Sequence, residues 1–250
     1  MNHKSTVELK GIARDKLLGN YGTVIGAIVT VQLIFFGINS IVRYVSDLNS
    51  ITGMIVYIAI TLICSLIASV FAVGELTIYM KLACGDSIKI TDVFSAFTGH
   101  PDKIIILDLI VSLRVLVWLI PAAATLCYMY FKDSYGNVLI LLASGLMIIG
   151  LIGSIYTYIR LSQCLFIFLD FPDLTVNEII ERSIGMMEGQ YGRFLYMMIS
   201  FIPIYLLGIL SLGIGFIFIQ PYKGMTYTEF YLTIAAQPVK DLGSGFDMLA

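Results

Sequence analysis

The stretch Asp173–Tyr222, DLTVNEIIERSIGMMEGQYGRFLYMMISFIPIYLLGILSLGIGFIFIQPY, decides how the rest of the chain is read. Val176, Ile179, Ile180, Ile184 and Met187 fall on one helical face, with Asn177, Glu178, Glu181, Arg182 and Glu188 largely on the other. That is the period of an amphipathic helix. Thr175 and Glu178 stand in capping-box register, where each side chain satisfies a backbone N–H that a helix start leaves unpaired. Gly189 and Gly192 stop the helix and let the chain turn. From Phe194 to Ile219 no formal charge occurs, so length and composition predict a transmembrane segment.

The whole chain has the same character. It has 250 residues, of which 58% are hydrophobic and 13% charged, against about 25% charged in a soluble domain. The deficit places much of the surface against lipid, making the bilayer the first expected partner. A net charge of −2 gives no footprint for nucleic acid. Cys64, Cys84, Cys127 and Cys164 form no CxxC pair and His3 and His100 are far apart. The cysteines therefore read as buried apolar thiols, and no metal or cofactor is expected.

Working outward, the N-terminus repeats the pattern. Ser5 and Glu8 are in capping-box register, and Leu9, Ile12, Ala13 and Leu17 form an apolar stripe with Lys10, Arg14 and Lys16 off it. Such a helix lies on a membrane surface. Gly19-Asn20-Tyr21-Gly22 then matches Gly189-Gln190-Tyr191-Gly192 and turns into a first span at 23–42. That span is too long for a signal peptide and has no cleavage site. A shorter third copy has Thr91 as its cap, Val93, Phe94 and Phe97 as its face, and Gly99-His100-Pro101 as its corner.

Further spans are expected at 51–83, 104–130, 137–169 and 194–219. Lys132–Gly136 reads as a tight polar turn, and Asp170-Phe171-Pro172 closes span four, because proline disfavours helix in the residue before it. Gln220-Pro221-Tyr222 is expected to break the helix, with Thr226 and Glu229 capping a last short one and 237–250 a flexible tail. The prediction is an all-α, polytopic membrane protein with about five transmembrane helices and three interfacial amphipathic helices, in one domain over 1–236.

Lysines and arginines near span ends give the orientation. With the N-terminus inside, Lys4, Lys10, Arg14, Lys16, Lys81, Lys89, Lys103, Arg182 and Arg193 share one side, and Arg43, Lys132, Lys223 and Lys240 the other. This predicts a cell membrane location with a cytoplasmic N-terminus and an external C-terminus.

The run from Asp170 to Leu174, Ser183, Met187-Glu188-Gly189, Gly213-Ile214-Gly215 and Gln220-Pro221-Tyr222 resembles a family of bacterial integral membrane proteins catalogued as domain of unknown function 975. Leu18–Gly22, Gly74, Asp92-Val93-Phe94 with Phe97, and Thr226 with Phe230-Tyr231 extend the resemblance along nearly the whole chain. Glu188-Gly189-Gln190 departs from a more basic Lys-Gly-Asn corner. The resemblance implies fold and location and leaves activity open. A remoter similarity, to membrane regions beside glycerophosphodiester phosphodiesterases, hints at a lipid-related role and brings no catalytic residue.

Four charges interrupt apolar runs: Glu75, Asp108, Arg114 and Arg160. Charge in hydrocarbon is costly and marks a candidate site. Counting from the cytoplasmic helix ends puts Glu75, Arg114 and Arg160 at a similar depth, about 15 to 17 Å, where Glu75 could pair with either arginine and leave one for an anionic ligand. The competing placement lets the over-long second and fourth spans protrude, so that Glu75 and Arg160 reach the interface while arginine snorkels. No nucleophile elbow, HExxH, P-loop or GxGxxG occurs, so no enzyme activity is expected. The leading expectation is a non-enzymatic component that binds a membrane or cytoplasmic protein, or senses lipid, through Leu9, Ile12, Leu17, Ile180, Ile184 and Met187. The alternative is a small-solute or lipid transporter using the charge cluster.

Overall fold

The structure, a computed structural model, describes residues 4–47, 50–132 and 136–236. Among these the regular elements are all helical. They are α1 (Thr6–Leu17), α2 (Tyr21–Val45), α3 (Ile51–Cys84), a 3-10 helix (Ile90–Thr98), α4 (Pro101–Leu116), a short 3-10 turn (Val117–Leu119) and α5 (Ile120–Lys132). Then follow α6 (Asn137–Leu161), α7 (Cys164–Asp170), α8 (Val176–Met187), α9 (Tyr191–Ile199), α10 (Ile202–Leu210) and α11 (Phe216–Ala235). Five segments are long and apolar enough to cross a membrane: Tyr21–Val45, Ile51–Cys84, Pro101–Lys132, Asn137–Asp170 and Tyr191–Leu210. The expected tail at 237–250, and residues 133–135 of the expected polar turn, lie outside the described residues.

The repeated unit is a copy in conformation as well as in pattern. Adding 170 to a residue number in the first unit gives its counterpart in the second: Ser5 and Thr175, Leu9 and Ile179, Leu17 and Met187, Gly19 and Gly189. Both capping boxes form. Both corners place glycine at positive φ, 83° at Gly19 and 77° at Gly189, where a side chain would strain the backbone. Each corner closes with one backbone hydrogen bond at 2.9 Å, Asn20 N–H to the Leu17 carbonyl and Gln190 N–H to that of Met187. The third copy differs. It is a 3-10 helix that starts at Ile90 behind Lys89, so Thr91 is not its cap; instead the Asp92 carboxylate accepts from the Lys89 N–H at 2.9 Å and from the Lys81 ammonium at 3.0 Å.

The core sits at one end of the bundle. Leu9, Leu17, Val24, Val73, Ile78, Leu107, Ile167, Ile179, Phe194 and Phe230 are buried there, where α1, the 90–98 helix, α8 and the last turns of α3, α7 and α11 form a cap. Beyond the cap the helices show apolar side chains outward. On α3 the exposed apolar residues run from Ile51 to Ile67, and burial becomes dense from Ser69 on. The outer stretch of about 17 residues is roughly 26 Å long, close to one hydrocarbon core of about 30 Å. The excess length of α3 therefore lies in the cap. Close approach there needs glycine: a Cβ on Gly74 would stand 1.9 Å from the Val93 carbonyl oxygen.

Helix breaks fall where the sequence removes or competes for backbone bonds. Pro121 and Pro203 lack an N–H, and the chain tightens at Val117–Leu119 and breaks at Ser200–Phe201. The Lys10 ammonium caps the second break, donating to the Ser200 carbonyl at 2.8 Å. Span four, expected to run unbroken over 137–169, is interrupted at Ser162–Gln163.

The expected last span, 194–219, is not one helix. α10 ends in a Schellman turn in which the N–H of Gly213 donates to the Gly208 carbonyl and that of Leu212 to Ile209. Leu212 takes φ 54° and Gly213 φ 91°. Gly208 and Gly215 allow α11 to return close against α10. Pro221 sits inside α11 instead of ending it, and Thr226 and Glu229 are interior residues of that helix, not caps. α11 then packs along α1. The described chain therefore begins and ends on the same face, against the expectation of opposite sides. The physical reason is the reversal at 211–215, hidden inside an apolar run.

Candidate functional site at the α6–α7 break

Glu75 and Asp108 are half-buried on α3 and α4, while Arg114 is exposed and Arg160 half-buried. The ion pairs among the described residues include Lys16–Glu229, Lys81–Asp92 and an exposed Arg14–Asp15; none joins Glu75 or Asp108 to Arg114 or Arg160. Glu75 lies beside Gly74 in the cap and within electrostatic reach of the Tyr79 hydroxyl one turn on. The expected pairing of Glu75 with Arg114 or Arg160 is thus not among the ion pairs of the described residues, and Glu75 sits in the densely buried part of α3 that begins at Ser69.

Both arginines face the break between α6 and α7. Arg114 lies within electrostatic reach of the Cys164 thiol. The Arg160 carbonyl, freed by the break, accepts from the Ser183 hydroxyl of α8 at 2.8 Å. The Arg160 guanidinium lies 5.5 Å from the centre of the Tyr156 ring, which itself sits 5.7 Å from the Tyr191 ring. It also interacts with the Tyr191 hydroxyl, on which Glu188 acts from the α8–α9 corner. The Arg160 Nε is buried and has no hydrogen-bond partner, as is the Oε1 of Gln163, a residue only 1% exposed.

The depth of this group follows from α6. Its exposed apolar residues run from Val138 to Tyr158, about 21 residues or 31 Å, one hydrocarbon thickness. Arg160 thus stands just past the end of that exposed apolar run. A cation there, framed by two tyrosines, can take a phosphate oxygen through charge-assisted hydrogen bonds.

Most of the residues expected to face a partner or lipid are taken up inside the chain. Leu9, Leu17, Ile180 and Met187 are at most 2% exposed, and Ile12 and Ile184 are half-buried. The amphipathic stripes dock on α11, α3 and α7 of the same chain, since burying them internally removes more apolar area from water than leaving them at the surface. Of the cysteines only Cys164 is buried; Cys84 and Cys127 are exposed, and all four are free. Among the described residues no three His, Cys, Asp or Glu side chains gather as for a metal.

Sequence reasoning missed Ser183, Gln163 and the fully buried Glu229, which pairs with Lys16 at 2.7 Å. Ser183 carried a signal. It interrupts the apolar stripe where its counterpart in the first unit is Ala13.

At the capped end Asp92 is also tuned. Burial opposes its charge, but the Lys89 N–H and the Lys81 and Lys89 ammonium groups hold its carboxyl below the usual carboxylate range.

An all-helical bundle with five segments long and apolar enough to cross a membrane is the architecture compatible with a polytopic membrane protein. More specifically, the chain belongs to the family described as protein of unknown function (DUF975), whose profile matches residues 1–238. No curated protein and no solved structure matches it.

Proposed function

We propose that this protein is a non-enzymatic, multi-pass membrane component that holds phospholipid headgroups at the rim where its cap meets its apolar belt. One observation carries this reading: Arg160 stands just past the exposed apolar run of α6, against the Tyr156 ring and in no ion pair among the described residues. The bilayer is then its principal partner. The reading places it in the cell membrane with the cap in the cytoplasm, because Lys4, Lys10, Arg14, Lys16, Lys81, Lys89 and Lys103 belong to that end, while Arg43 and Lys132 end α2 and α5 at the other. Transport through a buried acid–base cluster has less support, since no ion pair among the described residues joins Glu75 to either arginine.

Native mass spectrometry of the protein released from lipid nanodiscs tests this. The expected result is protein that retains phospholipid after the bulk lipid is stripped. Protein that emerges bare under the mildest activation overturns the reading.

A further inference from the structure

We infer that a second place on the molecule, between α1, the α9–α10 break and the returning helix α11, holds an anionic phospholipid headgroup, with Lys10 and Lys223 supplying the positive charge that its phosphate needs. This rests on the lipid-binding reading above for its bilayer and not for its residues, since Arg160 has no part in it. The two lysines meet one group of packed rings. The Lys10 ammonium donates to the Ser200 carbonyl at 2.8 Å and lies 4.1 Å from the centre of the Phe201 ring. The Phe201 ring packs on Tyr222 at 5.5 Å and on Tyr227 at 6.3 Å, and the Lys223 ammonium lies 5.8 Å from the centre of the Tyr227 ring. The lysine and arginine pattern puts Lys223 on the opposite side from Lys10; the return of α11 brings both to the same rings.

The carboxylates of the surrounding elements are committed elsewhere. On α1 and α11 they are Glu8, Asp15 and Glu229. Glu8 accepts from the Ser5 N–H at 2.6 Å, Asp15 stands 3.9 Å from Arg14, and Glu229 pairs with Lys16 at 2.7 Å. α9 and α10 carry no acidic residue, while Arg193 near the start of α9 adds a third cation, 5.3 Å from the Phe230 ring of the same core cluster. Neither Lys10 nor Lys223 is in an ion pair among the described residues. An ammonium has three donors; the Ser200 carbonyl takes one of those on Lys10, and a phosphate oxygen can take another as a charge-assisted hydrogen bond. The apolar surface beside the lysines argues for a lipid over a free phosphate. Ile199 and Ile202 flank the break and are exposed, and the exposed large apolar residues of α11 end at Phe218, short of Lys223. Acyl chains can lie along that surface while the headgroup meets the lysines. A zwitterionic headgroup would bring its own ammonium to a place with no uncommitted carboxylate on these helices, so a headgroup of net negative charge, the phosphatidylglycerol class, is the better match.

The test reconstitutes the full chain in nanodiscs of equal phosphatidylethanolamine and phosphatidylglycerol and reads the retained lipids by native mass spectrometry. Wild type is expected to enrich phosphatidylglycerol about fivefold over the bulk ratio, the scale of one cation near an anionic lipid surface. Lys10→Gln and Lys223→Gln should each bring that enrichment to within about twofold of bulk. Lys10 also caps the Ser200 carbonyl, so Lys223→Gln carries the test if Lys10→Gln does not fold, and Lys223→Arg, which keeps the charge, should restore the enrichment. Arg160→Gln should leave it in place. Retention at the bulk ratio by wild type, or undiminished enrichment in Lys223→Gln, overturns the inference while leaving lipid binding standing. Enrichment lost in Arg160→Gln but kept in the lysine variants would put the selectivity at the α6–α7 break and likewise overturn it. A wild-type protein that retains no lipid at all instead overturns the functional reading beneath it. Displacement of the retained lipid by water-soluble glycerophosphoglycerol would assign the lysines to a free headgroup and overturn the lipid assignment.

Discussion

Replacing Lys16 with Met should loosen the cap. The Glu229 carboxylate is 2% exposed and its ion-pair partner is the Lys16 ammonium at 2.7 Å. The same ammonium donates to the Ala83 carbonyl at 2.7 Å, at the end of α3, where a cation also favours the helix dipole. One side chain thus joins α1, α3 and α11. Removing one partner of a buried pair costs about 3–5 kcal/mol, because a charge is left without compensation. The Lys16 side chain is 31% exposed, and water screens part of that interaction, so the loss should be about 2–3 kcal/mol. Unfolding by SDS titration in mixed micelles measures it, and a double-mutant cycle with Glu229→Gln isolates the coupling. Lys16→Met with Glu229→Gln should recover much of the loss, since no charge is then stranded. The exposed Arg14–Asp15 pair, 3.9 Å apart, supplies a control; Arg14→Gln should change stability by less than about 0.5 kcal/mol. A Lys16→Met loss as small as that control would refute the argument that α11 is anchored through Glu229.

Three other outcomes follow from the same geometry. Gly74→Ala should displace the 90–98 helix, because the new Cβ would stand 1.9 Å from the Val93 carbonyl; a loss of about 1–3 kcal/mol or more is expected in the same titration, while Gly37→Ala, which meets nothing within 4 Å, should be neutral or stabilising. In a cysteine-free background, cysteines introduced at Arg14 and Ala236 should react with an impermeant thiol reagent from the same side of sealed vesicles, and labelling from opposite sides would contradict the return of α11. The depressed carboxyl of Asp92 binds its proton less readily folded than unfolded, so its contribution is present at neutral pH and is lost as pH falls from the ordinary carboxylate range, near 4, through the folded value. Asp92→Asn should therefore lower stability at pH 7 and flatten its dependence on acid, and an unchanged acid profile would count against this linkage.

What the sequence determined by itself is local. The capping boxes at Ser5 and Thr175, the glycine corners and the membrane-length apolar runs need only neighbouring residues, and hydrophobic period, caps and glycine report those directly. What only the tertiary structure decided is where those elements meet. The Phe194–Ile219 run looks uniform in hydropathy, yet it reverses at Leu212 and Gly213, because the turn depends on backbone bonds and on helix contact at Gly208 and Gly215 that apolar composition conceals. The same limit hid the fate of the apolar stripes, since Leu9 and Ile180 can face lipid or the chain's own interior with one pattern. It also left the expected pairing of Glu75 with Arg160 unmade among the described residues: residue counts along a helix fix depth only if the helix end lies at the membrane surface, and packing of the 90–98 helix and α11 against α3 places that end within the cap instead.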